Sequence, residues 1–448
     1  MGRLFGTDGI RGIANKELTA DMAYRIGQVS AYVLTEPMQK PRIIIGTDTR
    51  ISCDMLESAL VAGICSVGVK AYCVGVIPTP AVSYLTRKHN ADAGIMISAS
   101  HNPYEFNGIK IFNNKGYKLP DEVEERIESI ILDKSEKIDL PEGKGIGNKC
   151  NAHKFTDEYI KFIKETSKYS LDGLKVSVDC SNGSASNIAP VVLKELGAEV
   201  FTINNQPDGT NINDNCGSTK LDKISNFVVQ CKSDIGIAFD GDADRVLAVD
   251  ENGEVVDGDR IMAIIGHDMK KTGKLNKNTV VATVMSNIGL DIMAQNEGIN
   301  VIRTKVGDRY VVEKMLEEGY SIGGEQSGHI VLIDNNSTGD GLLTSVRLLN
   351  ILKSSNKRLS ELASIMKVFP QVLKNAKVNN NKKKEYLSDE VILKKCNELS
   401  EEFAGEGRVL VRPSGTEPLI RVMIEGSDIK RIAGKADELV RIIEERLN

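Results

Sequence analysis

The sequence predicts an α/β protein with three similar α/β domains containing mixed sheets, followed by a smaller C-terminal α+β domain. Short apolar runs rich in β-branched residues alternate with helical patterns along most of the 448 residues. This alternation favours mixed or largely parallel sheets covered by helices. The runs occur in groups of three, and a chain of this length holds about three domains at roughly 150 residues each.

Charged and glycine-rich stretches separate the predicted domains. The first domain contains "RIIIG", "AYCVG" and "AGIMIS", the second contains "LKVSVD", "EVFTIN" and "DIGIAF", and the third contains "TVVATVM", "NVIRT" and "YSIGG". After a polar linker, "KNAKVNNNKKKE", the pattern changes to a helix, two alternating strands around "RPSGTEP" and a final helix. We therefore predict domains at residues 1–152, 153–253, 254–369 and 370–448.

Composition limits the classes of partner. The chain carries 57 Lys and Arg against 62 Asp and Glu, a net charge of -5, so it lacks the basic field that binds nucleic acid or an anionic membrane. It has no signal-peptide core and no apolar run near the roughly 18 residues of a membrane span. The eight cysteines are scattered, as free thiols are. We expect a cytoplasmic protein that binds small molecules or protein chains, including a second copy as a homodimer.

Polar loops follow one strand in each α/β domain. The junctions read "MIS-ASHNP", "IAF-DGDADR" and "IGG-EQSGH". Ligands of open α/β sheets bind beyond the carboxyl ends of strands. The placement therefore predicts a composite site made by several domains.

The stretch "DGDADR" places Asp240, Asp242 and Asp244 at every second position. Carboxylates this close repel one another by about 4 kcal/mol per pair at about 4 Å and an effective dielectric near 20, so we expect the loop to bind a cation. The oxygen ligands suit Mg²⁺ or Ca²⁺. A solvated acidic turn is the alternative. An EF-hand does not fit, because Arg245 stands where its loop needs glycine and the flanks are strands.

The stretch "RPSGTEP" has a structural and a functional interpretation. It is either a long hairpin turn or an anion cradle. In the cradle, Arg412 is a bidentate donor, Ser414 and Thr416 supply hydroxyls, and Gly415 frees backbone N–H groups. The cradle would hold a phosphate.

The stretch "GGEQSGH" is likewise open to two interpretations. It is either a simple connection or a sugar-binding loop, in which Glu325 and Ser327, two apart in an extended segment, point the same way and grip a polyol. His329 taken alone is more typical of a structural histidine than of a catalyst.

The stretch "ISASHNP" is either a polar turn or the site of a phosphoryl carrier. Ser98, Ser100 and Asn102 can form turn hydrogen bonds before Pro103. A Ser-His-Asp hydrolase does not fit, because a G-x-S-x-G elbow is missing and His101, adjacent to Ser100, is badly placed to take its proton. A phosphoryl group on Ser100 would bring about -1.5 to -2 charges, which a cation at "DGDADR" would offset.

Together, "ASHNP", "DGDADR", "GEQSGH" and "RPSGTEP" resemble the motifs of the α-D-phosphohexomutases in order and spacing, and the resemblance covers essentially the whole chain. It implies four domains around a central cleft. Within that family, "FGTDGIRG", "EQSGH", "NINDNCGST" and "TKVGDRYV" are most similar to members that interconvert glucosamine 6-phosphate and glucosamine 1-phosphate for UDP-N-acetylglucosamine synthesis. Members that act on glucose or mannose phosphates are the alternative.

The resemblance also implies a role for each motif residue. Ser100 would be a phosphoserine required for activity, and a phosphate oxygen on it would join the three aspartates in holding Mg²⁺. Lys110 would be the general acid/base, with Arg11 beside it lowering its pKa by like-charge repulsion. The sugar and the distal phosphate would be bound by Glu325, Ser327, His329, Arg412, Ser414, Gly415 and Thr416.

The implied reaction passes through a bisphosphorylated sugar, which turns in the cleft between two phosphoryl transfers. Two other classes share part of this pattern. A metal-dependent phosphatase acting through a phosphoserine would release inorganic phosphate. A non-catalytic Ca²⁺- or sugar-binding protein would keep its function after Ser100→Ala.

Overall fold

The computed structural model describes residues 2–6, 8–35, 40–414 and 417–448. These residues form two compact units. Unit 1 runs up to Met285 and includes Gly298–Ile365, and unit 2 comprises Ser286–Glu297 and Met366–Asn448. None of the described helices combines the length and apolar character that a membrane crossing requires.

The first sheet of unit 1 has six strands. Its part of the chain contains β1 (Ile10–Ile13), α1 (Ala20–Leu34), β2 (Arg42–Thr47), α2 (Cys53–Ser66), β3 (Lys70–Val76), α3 (Thr79–Lys88), β4 (Ala93–Ile97), β5 (Phe106–Asn113), α4 (Asp121–Asp133) and β6 (Lys149–Asn151). The strands lie in the order β1-β5-β4-β2-β3-β6. The last four are parallel, whereas β5 is antiparallel to both of its neighbours. Strands β2 and β4 are almost wholly buried, which explains their continuous apolar sequences.

The second sheet of unit 1 has five strands. Its elements are α5 (Phe155–Thr166), β7 (Lys175–Asp179), α6 (Ala189–Glu195), β8 (Glu199–Ile203), α7 (Asp222–Cys231), β9 (Ile235–Phe239), β10 (Val246–Asp250) and β11 (Val255–Val256). The strand order is β11-β10-β9-β7-β8. Strands β9, β7 and β8 are parallel, and β10 returns antiparallel to β9.

The third sheet of unit 1 has four strands. The chain here contains α8 (Gly258–Lys271), β12 (Thr279–Thr283), α9 (Ile288–Glu297, in unit 2), β13 (Asn300–Thr304), α10 (Asp308–Glu318), β14 (Ile322–Gly324), β15 (Ile330–Leu332), α11 (Gly341–Ser355) and α12 (Leu359–Ala363). The strand order is β13-β12-β14-β15. Only the β14–β15 pair is antiparallel.

Unit 2 contains a small antiparallel sheet with helices. Besides α9, its elements are β16 (Gln371–Lys377), α13 (Glu390–Glu402), β17 (Arg408–Pro413), β18 (Leu419–Glu425) and α14 (Ile429–Leu447). The strand order is β16-β18-β17. Asp389 and Asp428 cap the starts of α13 and α14 by accepting hydrogen bonds from backbone N–H groups. Apolar residues of both helices and of the sheet share one core.

The observed sheets confirm the predicted fold class of three mixed α/β sheets and a smaller α+β part. The predicted linker is wrong at its start, because β16 occupies it and pairs with β18 along its whole length. Ala376 is buried, while its neighbours Asn375 and Lys377 on the opposite face are exposed. A strand that buries one face in this way has a polar sequence on the other face, and this explains the error.

All four motif loops connect two antiparallel strands. The loop with Ser100 joins β4 to β5, "DGDADR" joins β9 to β10, "EQSGH" joins β14 to β15, and "RPSGTEP" joins β17 to β18. In unit 1 the strand before each loop belongs to the parallel part of its sheet, so the loop lies at a carboxyl end as predicted.

Candidate active site

Ser100 lies in the hairpin connection between β4 and β5. Its backbone φ is 53°, a left-handed conformation that is uncommon for residues other than glycine. The side chain is buried, and its Oγ donates a hydrogen bond of 2.7 Å to Oδ2 of Asp240. The Ser100 hydroxyl therefore contacts the acidic loop directly.

His101 lies closer to this hydroxyl than its adjacent position in the sequence predicted. Its Nδ1 is 3.3 Å from the Oγ of Ser100. Burial, together with the charges of Arg245 and Arg11, lowers the pKa of His101 to about 4. The ring is therefore uncharged and weakly basic at neutral pH, so His101 is poorly suited to remove the serine proton although it lies within reach of it.

The loop between β9 and β10 carries three buried aspartates. Asp240, Asp242 and Asp244 are at most 5% exposed, and carboxylate oxygens of all three lie within 4.8 Å of one another. One oxygen of Asp242 and one of Asp244 are buried without a hydrogen-bond partner. Because unpaired buried carboxylate oxygens are costly and hard divalent cations prefer oxygen ligands, these residues fit a metal ion.

Charge is unevenly compensated within the acidic loop. Burial and the neighbouring Asp244 and Asp242 raise the pKa of Asp240 well above its usual value. Burial acts in the same direction on Asp244, but the charge of Lys110 is the main cause that lowers the pKa of Asp244 overall. A divalent cation would supply the compensation that Asp240 lacks.

Lys110, on β5, is the cation closest to the acidic loop. Its Nζ lies 2.7 Å from Oδ2 of Asp242, 3.0 Å from Oδ2 of Asp244 and 3.1 Å from Oδ2 of Asp8. Burial by itself would lower the pKa of Lys110, but these carboxylates raise it well above its usual value. Arg11 lowers this pKa, as expected from like-charge repulsion, but three carboxylates whose contact with Lys110 was not predicted outweigh it.

Arg11, on β1, is part of a chain of alternating charges. It donates through Nη2 to Asp8, while its Nε is buried without a hydrogen-bond partner. Lys118 bridges Asp8 and Asp308, with its Nζ 2.6 Å from a carboxylate oxygen of each. Because Arg11 keeps an unused donor, this row of charged side chains is a suitable place for an anionic group. The row continues from Asp8 to Lys110.

Four residues of this network were not predicted from the sequence. Asp8 and Asp308 lie within "FGTDGIRG" and "TKVGDRYV", two stretches already noted for the family resemblance, so the sequence contained a signal for them. No sequence motif pointed to Lys118 or to Thr79. Thr79, at the start of α3, nevertheless bonds Asp242 twice: its backbone N donates to the carbonyl at 2.9 Å and its Oγ1 donates to the carboxylate.

The predicted sugar loop is a tight turn rather than an extended segment. The N–H of Gly328 donates to the carbonyl of Glu325 at 3.0 Å and closes the turn. Glu325 is half-buried, with Oε1 accepting a 3.1 Å hydrogen bond from Gly307 N, whereas Ser327 is exposed. The extended geometry used to pair Glu325 with Ser327 is therefore wrong, and a shared sugar ligand stays a prediction.

A hydrogen bond and a close side-chain contact connect this turn to the rest of the site. Val246 N, directly after the acidic loop, donates to the carbonyl of Gly328 at 3.1 Å. His329 is buried, and its Nε2 lies 3.5 Å from Oδ2 of Asp308. The motif loops of unit 1 are thus joined around Ser100.

Unit 2 carries the "RPSGTEP" stretch. Arg412 lies directly opposite Arg421 in the β17–β18 pair, and burial, with a contribution from Arg421, lowers the pKa of Arg412. Within the described residues, Arg412 forms no ion pair with a carboxylate. Ser414 is buried. Two of the predicted phosphate-binding residues, Gly415 and Thr416, lie outside the described residues.

Four family descriptions match successive parts of the chain. Residues 2–138 match phosphoglucomutase/phosphomannomutase alpha/beta/alpha domain I, and residues 157–253 match its domain II. Residues 257–369 match domain III, and residues 373–442 match the C-terminal domain. The matches account for most of the chain in the order expected of one family.

Full-length relatives agree with these matches. The chain is 64% identical over 448 residues to the phosphoglucosamine mutase of Acetivibrio thermocellus and 61% identical over 449 residues to that of Ruminiclostridium cellulolyticum, covering 100% of both chains in each case. Its fold matches the crystal structure of a phosphoglucomutase/phosphomannomutase family protein from Burkholderia thailandensis with a TM-score of 0.82 at 24% identity, over 99% of this chain and 97% of that one. The chain therefore belongs to the phosphoglucomutase/phosphomannomutase family of phosphohexomutases.

Proposed function

We propose that this phosphohexomutase interconverts glucosamine 6-phosphate and glucosamine 1-phosphate through a phosphoserine at Ser100 and a bisphosphorylated sugar. The observation that carries the proposal is the buried contact of Ser100 Oγ with Asp240 in a cluster of three carboxylates. The 64% identity to a full-length phosphoglucosamine mutase supports the amino-sugar substrate. The product would feed UDP-N-acetylglucosamine synthesis.

The acidic loop is the proposed metal site. Asp240, Asp242 and Asp244, with a phosphate oxygen on Ser100, would hold Mg²⁺. The ion would offset charge on the transferring phosphoryl group, which is the main aid an enzyme gives to such a transfer. The two buried oxygens of Asp242 and Asp244 that lack a hydrogen bond support this assignment.

Each half-reaction exchanges one ester bond for another. The P–O bond to Ser100 breaks while a P–O bond to O1 or O6 of the sugar forms, and the proton of the sugar hydroxyl must leave as the serine oxygen gains one. Lys110 is the proposed proton carrier. Its ammonium would give a proton to the leaving serine oxygen and take up the proton lost by the sugar hydroxyl, so that its own charge is restored. The nearby carboxylates raise its pKa and make it a weaker acid, an effect that a metal ion bound to them would offset. Arg11, whose Nε lacks a partner, would help to hold the reacting phosphate.

The remaining motif residues would hold the substrate in both of its orientations. Glu325, Ser327 and His329 would bind sugar hydroxyls or the C2 amine. The distal phosphate would be bound in unit 2 by Arg412, Ser414, Gly415 and Thr416. One distal phosphate site suffices, because the bisphosphate reverses its ends between the two transfers.

Domain boundaries, cellular location and assembly complete the proposal. We keep the domain boundaries at residues 1–152, 153–253, 254–369 and 370–448. The family's phosphosugar metabolism fits a cytoplasmic enzyme that acts on a small molecule, with no nucleic acid or membrane as partner. A homodimer stays a prediction.

The direct test is product analysis with glucosamine 6-phosphate, Mg²⁺ and a catalytic amount of the sugar bisphosphate. Glucosamine 1-phosphate should accumulate to an equilibrium ratio, and chelation of the metal should stop the reaction. Release of inorganic phosphate as the main product would instead identify a phosphatase. Because the family description also names glucose and mannose mutases, kcat/KM should be compared for the three sugar phosphates. A preference for either neutral sugar would overturn the amino-sugar assignment.

A further inference from the structure

Arg50 is a buried arginine that bonds mainly to backbone carbonyls. Its side chain and that of Asp48 are fully inaccessible, and its Nε donates to Oδ2 of Asp48 at 2.8 Å. Its Nη2 donates to the carbonyls of Ser100 at 2.9 Å and Asn102 at 2.8 Å. Its Nη1 donates to the carbonyl of Phe106 at 2.9 Å and to that of Pro103. One guanidinium thus bonds four carbonyls along the Ser100 loop.

Asn213 holds the same loop from the part of the chain that forms the second sheet. Its Nδ2 donates to the carbonyl of Ser100 at 2.9 Å and to that of Asn102 at 3.0 Å. Gly241 packs against this point, since a Cβ placed on it would lie 2.6 Å from the Ser100 carbonyl oxygen. The carbonyl of the nucleophilic residue is therefore enclosed by two donors and the acidic loop.

Asp48 organises the other side of the loop. It orients Arg50 and also accepts a 2.7 Å hydrogen bond from Ser98 Oγ, which in turn accepts a 2.9 Å hydrogen bond from Ser100 N. Both backbone polar groups of Ser100 are therefore bonded. The left-handed backbone conformation of Ser100 is unfavourable by itself and persists only when surrounding contacts stabilise it. The hydrogen bonds to Ser100 N and to its carbonyl provide that stabilisation.

The arrangement also has an electrostatic consequence. Carbonyl oxygens carry partial negative charge and would repel a phosphoryl dianion on Ser100. Bonding four of them to one guanidinium compensates that charge locally. A lysine at position 50 would supply a positive charge but not the planar set of five donors that reaches several carbonyls and Asp48 together.

We propose that Arg50, assisted by Asn213, is a positioning residue for phosphoryl transfer: it fixes the Ser100 loop so that Oγ faces Asp240 both before and after the serine is phosphorylated. The proposal rests on the phosphoserine mechanism proposed above. Arg50 acts through the loop and touches neither the sugar nor the metal ligands of "DGDADR". It should therefore affect the rate of transfer rather than the binding of substrate.

The test uses the full chain and the variants Arg50→Met, Arg50→Lys and Asn213→Ala. Arg347→Met is the matched control, because Arg347 is a partly buried arginine of unit 1 paired with Asp268 at 2.9 Å, outside the site. Each protein is first checked by near-ultraviolet circular dichroism and thermal unfolding, and then assayed well below its Tm. The rate of Ser100 phosphorylation by glucosamine 1,6-bisphosphate is followed by intact mass, and steady-state kcat and KM are measured separately.

We expect kcat and the phosphorylation rate to fall together by about 10- to 100-fold in both Arg50 variants, the range that a small misplacement of reacting groups produces. The KM should stay within about threefold, because uniform substrate binding is untouched. Asn213→Ala should show the same pattern with a smaller loss of about fivefold, roughly the worth of one hydrogen bond. Arg347→Met should react at the wild-type rate.

Two results would overturn the proposal. One is a folded Arg50→Lys or Asn213→Ala protein with wild-type phosphorylation and kcat, and the other is a loss confined to KM. If Arg50→Met does not fold, these two milder variants still decide the matter. Failure of the underlying function is distinguishable, because the wild-type chain itself would then form no phosphoserine.

Discussion

The Ser100 loop and the acidic loop contact each other but differ in how far the protein satisfies their polar groups. Both are hairpin connections and both contain a left-handed residue other than glycine, Ser100 with φ 53° and Ala243 with φ 54°. In the Ser100 loop, Arg50 and other protein groups bond the backbone. In the acidic loop, Asp242 and Asp244 each keep a buried oxygen without a hydrogen bond, and that of Asp244 lies 3.8 Å from Arg245 Nε.

This difference separates what the protein supplies from what a ligand must supply. Protein groups alone satisfy the backbone of Ser100, so no ligand is needed to hold the nucleophile in place before substrate arrives. The backbone of the acidic loop is also bonded, for example by Thr79 N at the Asp242 carbonyl, but its carboxylate charge is balanced only in part, by cations such as Lys110. We therefore expect the first loop to be insensitive to metal and the second to depend on it.

The largest effect is expected for Ser100→Ala. Turnover should fall by at least about 10⁴-fold, because the phosphoryl carrier is removed. The Tm should change little, since Arg50 and Asn213 bond the carbonyl of Ser100 rather than its hydroxyl. The Mg²⁺ affinity should be lower than that of the phosphorylated wild type, because the variant cannot supply the phosphate oxygen proposed as a ligand. Steady-state turnover, thermal unfolding and a metal titration measure these effects. Ser400→Ala, an exposed serine in unit 2, is the control, and turnover above about one tenth of wild type in Ser100→Ala would refute the role of Ser100.

The next effect is expected for Lys110→Met, which tests the acidic side of the comparison. Turnover should fall by about 10²- to 10⁴-fold through loss of the proton carrier. Removing this cation leaves buried carboxylates uncompensated, a change that costs about 3–5 kcal/mol of unfolding free energy. Thermal unfolding with and without Mg²⁺ measures the consequence.

The metal should raise the Tm of Lys110→Met more than that of the wild type, because the ion replaces part of the missing charge. Lys115→Met removes an exposed lysine of a nearby turn and should leave both Tm values unchanged. An equal metal-induced rise of Tm in Lys110→Met and wild type would show that Lys110 does not compensate the acidic loop.

A smaller effect is expected for Arg412→Ala, which extends the comparison to a loop of unit 2. Arg412 forms no ion pair within the described residues, so like the acidic loop it has capacity for a ligand. Its loss should raise KM by about 10- to 100-fold, the worth of a bidentate bond to phosphate, with a smaller change in kcat. Arg421→Ala, which removes an arginine paired with Glu417, should raise KM far less. Unchanged KM in Arg412→Ala would remove this residue from the phosphate site.

The site could be predicted where its residues are contiguous in the sequence. Ser100 and the three aspartates lie in short stretches that follow recognisable strands, and the structure brings them into contact. Alternation of apolar runs and helices was likewise sufficient for the fold class. The antiparallel strand that follows each motif loop was not predicted as a common feature, because a short apolar run does not show the direction of the strand it pairs with.

The supporting residues could not be predicted, because they act across long separations in sequence. Arg50 contacts a loop that lies 50 residues later, and Asn213 contacts the same loop from 113 residues away. A local pattern contains no information about such contacts. The raised pKa of Lys110 could not be predicted for a related reason: the effect of Arg11 was foreseen, but three carboxylates from distant parts of the sequence set the net charge around Lys110.

The most direct test of the account follows one phosphoryl group through a single turnover. Enzyme carrying ³²P on Ser100 is mixed with excess unlabelled glucosamine 6-phosphate, quenched at short times and separated. The account predicts that the label leaves the protein and appears in glucosamine 1,6-bisphosphate and then in glucosamine monophosphate, while unlabelled phosphate from the substrate takes its place on Ser100. Label recovered as inorganic phosphate, or label retained on the protein through many turnovers, would contradict it.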